Sequence, residues 1–189
     1  MTFAATTREP QLNGTAQHTR VIQITPEYAN ATLAASGTNN SGNMTGSFCS
    51  GSSKRNFQTS ICTVATEEHT FYQWNPTVAS PAQTYDIYAR FPIPSDFASL
   101  TSISMAGWRT GASDSVTLAI YDGTSSGTLC GAATNMATGT ATWTTPSYTV
   151  STCTLNAGET ALFKITMSAT STSDFARAGE ITFTYKSKW

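Results

Sequence analysis

The chain has 189 residues, only 11% of them Asp, Glu, Lys or Arg, and a net charge of −1 with a pI near 6.1. A usual charged share is about 25%, so there is no basic field to hold phosphates and nucleic acid is a poor partner. No apolar run approaches the roughly 20 residues that cross a bilayer, which argues against membrane insertion.

Thr and Ser replace the charge, 35 and 22 of them, beside 39% hydrophobic and 11% aromatic residues. That is too much core material for a disordered chain. Thr is β-branched and suits the solvated side of a sheet, so the composition favours strands over helices. The length fits one domain, for which about 100–200 residues is usual.

Residues 1–19 show no period and read as an extended amino-terminal arm or linker, leaving 20–189 as a single domain. The opening MTFAATTREPQLNGTAQHTR has neither a basic n-region nor an apolar h-region. The expected setting is therefore either a mature or shortened secreted domain or a virion protein assembled without a secretion signal: extracellular, cell surface or virion. VIQIT (21–25) and ATL (31–33) are the first strand candidates. A long polar loop over 36–60 follows, rich in Gly, Asn and Ser. Strand candidates then recur at TFYQW (70–74), TYDIYARFPI (84–93), SISMAGW (102–108), SVTLAIYD (115–122), GTATWT (139–144), SYTVSTCTL (147–155), ETALFKITM (159–167) and EITFTYKS (180–187). Residues 132–138 have the length for a single helical turn.

Alternation assigns faces. Tyr85, Ile87, Ala89, Phe91 and Ile93 point to one side and Asp86, Tyr88, Arg90 and Pro92 to the other. Val116, Leu118 and Ile120 are inward, as are Ala161, Phe163, Ile165 and Met167, and Ile181, Phe183 and Tyr185. Short strands with turn signals between them indicate an all-β protein, a jelly-roll-like two-sheet antiparallel β-sandwich of about eight to nine strands.

Chemistry is thinly represented. Gly123-Thr124-Ser125-Ser126-Gly127 matches the G-x-S-x-G of hydrolase elbows, but no amphipathic helix follows, and both histidines, His18 and His69, precede Ser125. A Gly/Ser hairpin loop is the better reading. His69 follows Glu67 and Glu68; on an extended chain only Glu67 shares its face, and a solvated loop accounts for all three. The remaining acids are scattered, with no glycosidase pair and no calcium-loop spacing. Asp86 and Arg90 stand about 13 Å apart along one strand face, too far for a direct couple, and read as solvent-face charges with cross-strand neighbours. Cys49, Cys62, Cys130 and Cys153 lack the C-x-x-C spacing of a zinc site. Nearest-neighbour disulfides, 49 with 62 and 130 with 153, are the favoured reading, with four buried thiols as the alternative. No cofactor or metal is implied.

The segment ITPEYANATLAASGTNNSGNMTGSF, followed by FYQW and YDIYARFPIPSDF, resembles β-sandwich modules of bacterial surface proteins. NAGETALFKITMSATSTSDFARAGEITFTY is similar to the last two strands of jelly-roll domains in phage tail and surface fibres. The resemblance covers most of 20–189 and brings no catalytic residues with it. It implies a non-enzymatic structural module of a surface or virion fibre, associating with copies of itself through the sandwich and the arm. The alternative is a carbohydrate-binding module for a cell-surface glycan. Outward aromatic and charged side chains serve either reading, as ligand or interface residues: Tyr88, Arg90, Tyr121 and Trp143.

Overall fold

Apolar side chains at every second position can be buried only if strands of two sheets turn those faces toward each other. The computed structural model describes residues 17–35, 38–47, 69–123 and 127–188. Among these it shows no helix and eleven strands: β1 (Thr19–Ile24), β2 (Ala31–Ala35), β3 (Gly42–Ser47), β4 (Phe71–Pro76), β5 (Gln83–Pro92), β6 (Phe97–Arg109), β7 (Ser115–Asp122), β8 (Thr134–Asn135), β9 (Ser147–Tyr148), β10 (Thr160–Ala169) and β11 (Ala176–Ser187). Nine of them have five residues or more, and all pairings are antiparallel. The first sheet runs β3-β4-β11-β6-β9, with β1 also paired to β11; the second runs β2-β5-β10-β7-β8. The chain steps between sheets at β4–β5–β6–β7 and again at β9–β10–β11, which is the alternation of a jelly-roll-like sandwich.

The core is the set of inward residues. Ile87, Val116, Leu118, Ile120, Phe163, Ile165 and Met167 of the second sheet meet Trp74, Ile103, Met105, Ile181 and Phe183 of the first, all buried. Each such side chain contributes about 1.5–3 kcal/mol by leaving water. Phe91 joins the layers, its ring centroid 5.4 Å from Phe163 and 4.9 Å from Phe183. β10 alternates without a break because it is paired on both edges, with β5 and β7.

Four expectations change. The 36–60 tract is not all loop, because β3 lies inside it and pairs along β4 from Gly42↔Pro76 to Ser47↔Phe71. The 132–138 stretch makes β8, not a helical turn, with Met136 and Ala137 buried. GTATWT forms only a bridge between Thr144 and Gly107. The cause is side-chain competition for backbone groups: Thr144 Oγ1 donates to Met136 O at 2.6 Å and accepts from Thr138 N at 3.1 Å, while Arg109 donates to the carbonyls of Gly139 and Thr138. Finally, SYTVSTCTL pairs with β6 only at Ser147 and Tyr148. Beyond them, Thr152 Oγ1 accepts from Gly131 N at 2.8 Å and bonds Leu129 O, and Cys153 is joined to Cys130 with 4.8 Å between Cα atoms. These ties draw residues 149–153 off the first sheet toward the end of β7. Cys49 and Cys62 lie outside the described residues, as does most of the 1–19 arm.

Candidate functional site

The outward residues of the second sheet are brought together by register. Arg90 on β5 lies opposite Leu162 on β10, which lies opposite Tyr121 on β7. One row further, Tyr88 faces Lys164, and in the next, Asp86 faces Thr166. Opposed residues share a face, so Tyr88, Arg90 and Tyr121 line one cleft of about 470 Å³, with Leu162, Lys164, Thr160, Asp122, Gly123 and Gly127 also lining it. Three of the four candidate ligand residues thus meet in one place.

The cleft rests on a buried charge. Asp86 is not a solvent-face charge: it is 3% exposed. One carboxylate oxygen accepts from Thr166 Oγ1 at 2.6 Å, and the other accepts from Lys164 Nζ at 3.1 Å and Tyr88 Oη at 3.2 Å. Thr166 and Lys164 reach it from the neighbouring strand β10 and Tyr88 from β5 itself, and together they satisfy a carboxylate that burial alone would penalise. Burial pulls the Lys164 ammonium down, but the hydrogen bond and charge of Asp86, with Tyr88 behind them, outweigh it and hold the group above the ordinary lysine range. A cation raised in this way contributes its stability fully below the ordinary lysine titration, and loses it only as pH rises through the raised value. Lys164 also sits 5.5 Å from the Tyr88 ring centroid, which fixes that ring over the cleft floor.

Gly123 closes one end. A Cβ there would stand 1.7 Å from the Thr160 carbonyl oxygen, so only glycine permits this approach of the β7 end to β10. Asp122 accepts from Thr128 N at 2.8 Å through its side chain and donates its own N–H to Thr128 O at 3.0 Å, so these two residues are tied to each other. Residues 124–126, Ser125 included, lie outside the described residues. The described residues that follow form no helix, so the context of a hydrolase elbow is not present there.

Trp143 is elsewhere, on the outer face of the first sheet. Its ring is 4.6 Å from His69 and 5.7 Å from Phe71. His69 is not a solvated-loop residue: it is half-buried, and its Nδ1 lies 2.7 Å from Glu180 Oε1, while Glu67 and Glu68 are outside the described residues. Arg177 continues the ridge, its guanidinium 4.5–4.6 Å from the rings of Phe71, Trp108 and Phe175, and its Nε donates to Gln73 Oε1 at 2.8 Å. This array satisfies itself. Sequence reasoning missed it because Glu180 and His69 are 111 residues apart and Arg177 and Gln73 are 104 apart.

The acids do gather once. Asp114 is 1% exposed and accepts from Gly111 N at 2.6 Å, Thr170 N at 3.0 Å and Thr170 Oγ1 at 3.1 Å; Asp174 is close by and is pushed up by burial, then by the Asp114 charge. Asp114 is thereby committed to holding two turns together. No group of three metal-ligating side chains occurs among the described residues.

No protein-family model matches the chain, and no curated protein matches it. Solved structures do. The enzymatically active domain of tailspike protein 4 of bacteriophage CBA120 matches at a TM-score of 0.47 and 10% identity over 84% of this chain, which spans 19% of that one. A carbohydrate-binding module of the β-sandwich superfamily, described for its promiscuous specificity, matches at 0.43 and 10% over 88% of this chain and 57% of that one. A carbohydrate-binding module in complex with β-1,4-galactotriose matches at 0.39 and 10% over 89% of this chain and 88% of that one. Each likeness is a weak one of fold alone.

Proposed function

We propose that this chain is a non-enzymatic β-sandwich module that binds carbohydrate on the outer face of its second sheet, as part of a cell-surface or virion structure. The observation that carries this reading is the convergence of Tyr88, Arg90 and Tyr121, from two different strands, on one cleft. Tyr rings offer flat apolar faces to the C–H side of a sugar and polar tips to its hydroxyls, while a few convergent polar groups fix orientation. The first-sheet ridge supports the choice of face, because its Arg and His are already engaged with their own neighbours.

A glycan array followed by calorimetric titration of the best binder tests it. Tyr121→Ala should weaken binding about tenfold or more, since anchoring aromatic residues cost about 2 kcal/mol when truncated, with an unchanged melting temperature. Unaltered affinity in this variant, with binding lost in Trp143→Ala, would move the site to the other sheet.

The alternative, a structural module that self-associates, has one feature in its favour. β6 extends from Ile103 back to Phe97 past the end of its pairing with β9, leaving an open sheet edge beside a groove of about 600 Å³. Against it, β6 carries extra residues at Thr101 and Ala98 relative to β11 over that stretch, and such bulges discourage strand addition. In that reading, deletion of residues 1–16 lowers the assembly state measured by light scattering. A monomer both before and after deletion removes it.

A further inference from the structure

We infer that the glycan held in this cleft is acidic, a sugar whose ring carboxylate is gripped by Arg90; the inference rests on the carbohydrate-binding reading above. The cleft holds two cations, and they differ in their commitments. Lys164 is engaged by Asp86 at 3.1 Å and so presents little net charge to a ligand. Arg90 is exposed, lines the cleft, and makes no hydrogen bond or ion pair among the described residues. Its cross-strand neighbour Leu162 is apolar, and Arg90 also lines the adjoining groove with Glu27, with which it forms no ion pair among the described residues. Asp122, the remaining acid of the cleft, is tied to Thr128 N beyond Tyr121.

An exposed Arg with no hydrogen-bond or ion-pair partner among the described residues, beside a cleft whose other described charges are engaged, offers a planar fork of donors to a ligand. That fork matches the two oxygens of a carboxylate, and the charge-assisted pair is about twice as strong as a neutral hydrogen bond. Arg90 and Tyr121 are two strand spacings apart, about 10 Å between backbones, so a sugar stacked on the Tyr121 ring directs a substituent toward the guanidinium across Leu162. Among the described residues Arg90 is the one cation of the cleft without such a partner, which suits a singly charged carboxylate better than a doubly charged phosphate.

The test uses the whole chain on an array that carries each acidic glycan beside its carboxyl-reduced counterpart, with sulfated members included, followed by titration of the tightest pair with the wild type and Arg90→Gln. The expected result is preference for the carboxylated member, a loss of about tenfold in Arg90→Gln, and weaker binding at 500 mM than at 50 mM NaCl, as screening of about 10 Å at 0.1 M requires. Equal binding of carboxylated and reduced members, or unchanged affinity in Arg90→Gln, overturns the acidic assignment and leaves carbohydrate binding intact. Selective binding of sulfated members overturns the carboxylate. Absence of binding to every array member, with Arg90→Gln melting as the wild type does, overturns both readings.

Discussion

Phe183→Ala should destabilise the domain by about 3–5 kcal/mol, the range for truncating a fully buried aromatic ring. For a domain of this size that lowers the melting temperature by about 6–20 °C. The ring is wholly buried on β11 and lies 4.9 Å from Phe91 across the sandwich, and 6.0 Å from Phe97 and 5.9 Å from Tyr185 within its own sheet. Its loss leaves a cavity between two hydrogen-bonded sheets, which cannot move together without breaking their ladders. Phe183→Leu fills most of that space and should cost less than half as much. A calorimetric loss below about 1 kcal/mol for the Ala variant would mean that the sheets do close over the gap, and that the inter-sheet aromatic contacts contribute little.

Removing the Cys130–Cys153 link as a Cys130→Ala/Cys153→Ala pair should cost about 3 kcal/mol in the chain-entropy model, given a closed loop spanning 23 positions. The ends of that loop are also tied by Thr152 to Gly131 and Leu129, and its interior is held by the β8 and β9 pairings and the bonds of Thr144 and Arg109, so the link adds to a segment that is already anchored. Chemical denaturation of oxidised and reduced wild type against the double variant reads the effect. If reduction leaves the wild type as stable as before, the bridge does not constrain the unfolded chain and the prediction fails. Any further loss when the double variant is itself reduced belongs to Cys49 and Cys62.

The sandwich was legible because its central strands carry their own period. β7 coincides with SVTLAIYD residue for residue, and the inward residues of β10 and β11 are those that alternation marks. Where the outcome depended on distant partners, the sequence was opaque. β3 holds Gly42, Asn43, Gly46 and Ser47, residue types that favour turns, and it exists because β4 supplies its ladder; Gly42 is required there by the Asn75 carbonyl oxygen and the Trp74 ring, which a Cβ would meet at 2.4 and 2.6 Å. GTATWT has strand composition, yet Thr144 and Arg109 offer its carbonyls and amides better partners than a neighbouring strand does. The candidate site divides the same way. The outward direction of Tyr88, Arg90 and Tyr121 follows from period two, whereas their meeting depends on how β10 is aligned between β5 and β7, and the burial of Asp86 on Lys164, 78 positions away by residue number.

The Asp86–Lys164 pair beneath the cleft also acts as a proofreader of strand alignment. A slip of β10 by one residue against β5 would turn every side chain over and drive the Lys164 ammonium into the apolar interior, where an unmatched charge costs several kcal/mol. A slip of two residues in one direction keeps the faces but sets Lys164 against Arg90, two positive charges directly opposed, and leaves Asp86 facing Ser168. An apolar pair at the same positions would tolerate both errors more readily. Because the cleft takes its walls from β5, β10 and β7, a slip of β10 would change which side chains meet in it. The charge pair that favours the correct alignment therefore also brings the side chains of this cleft together.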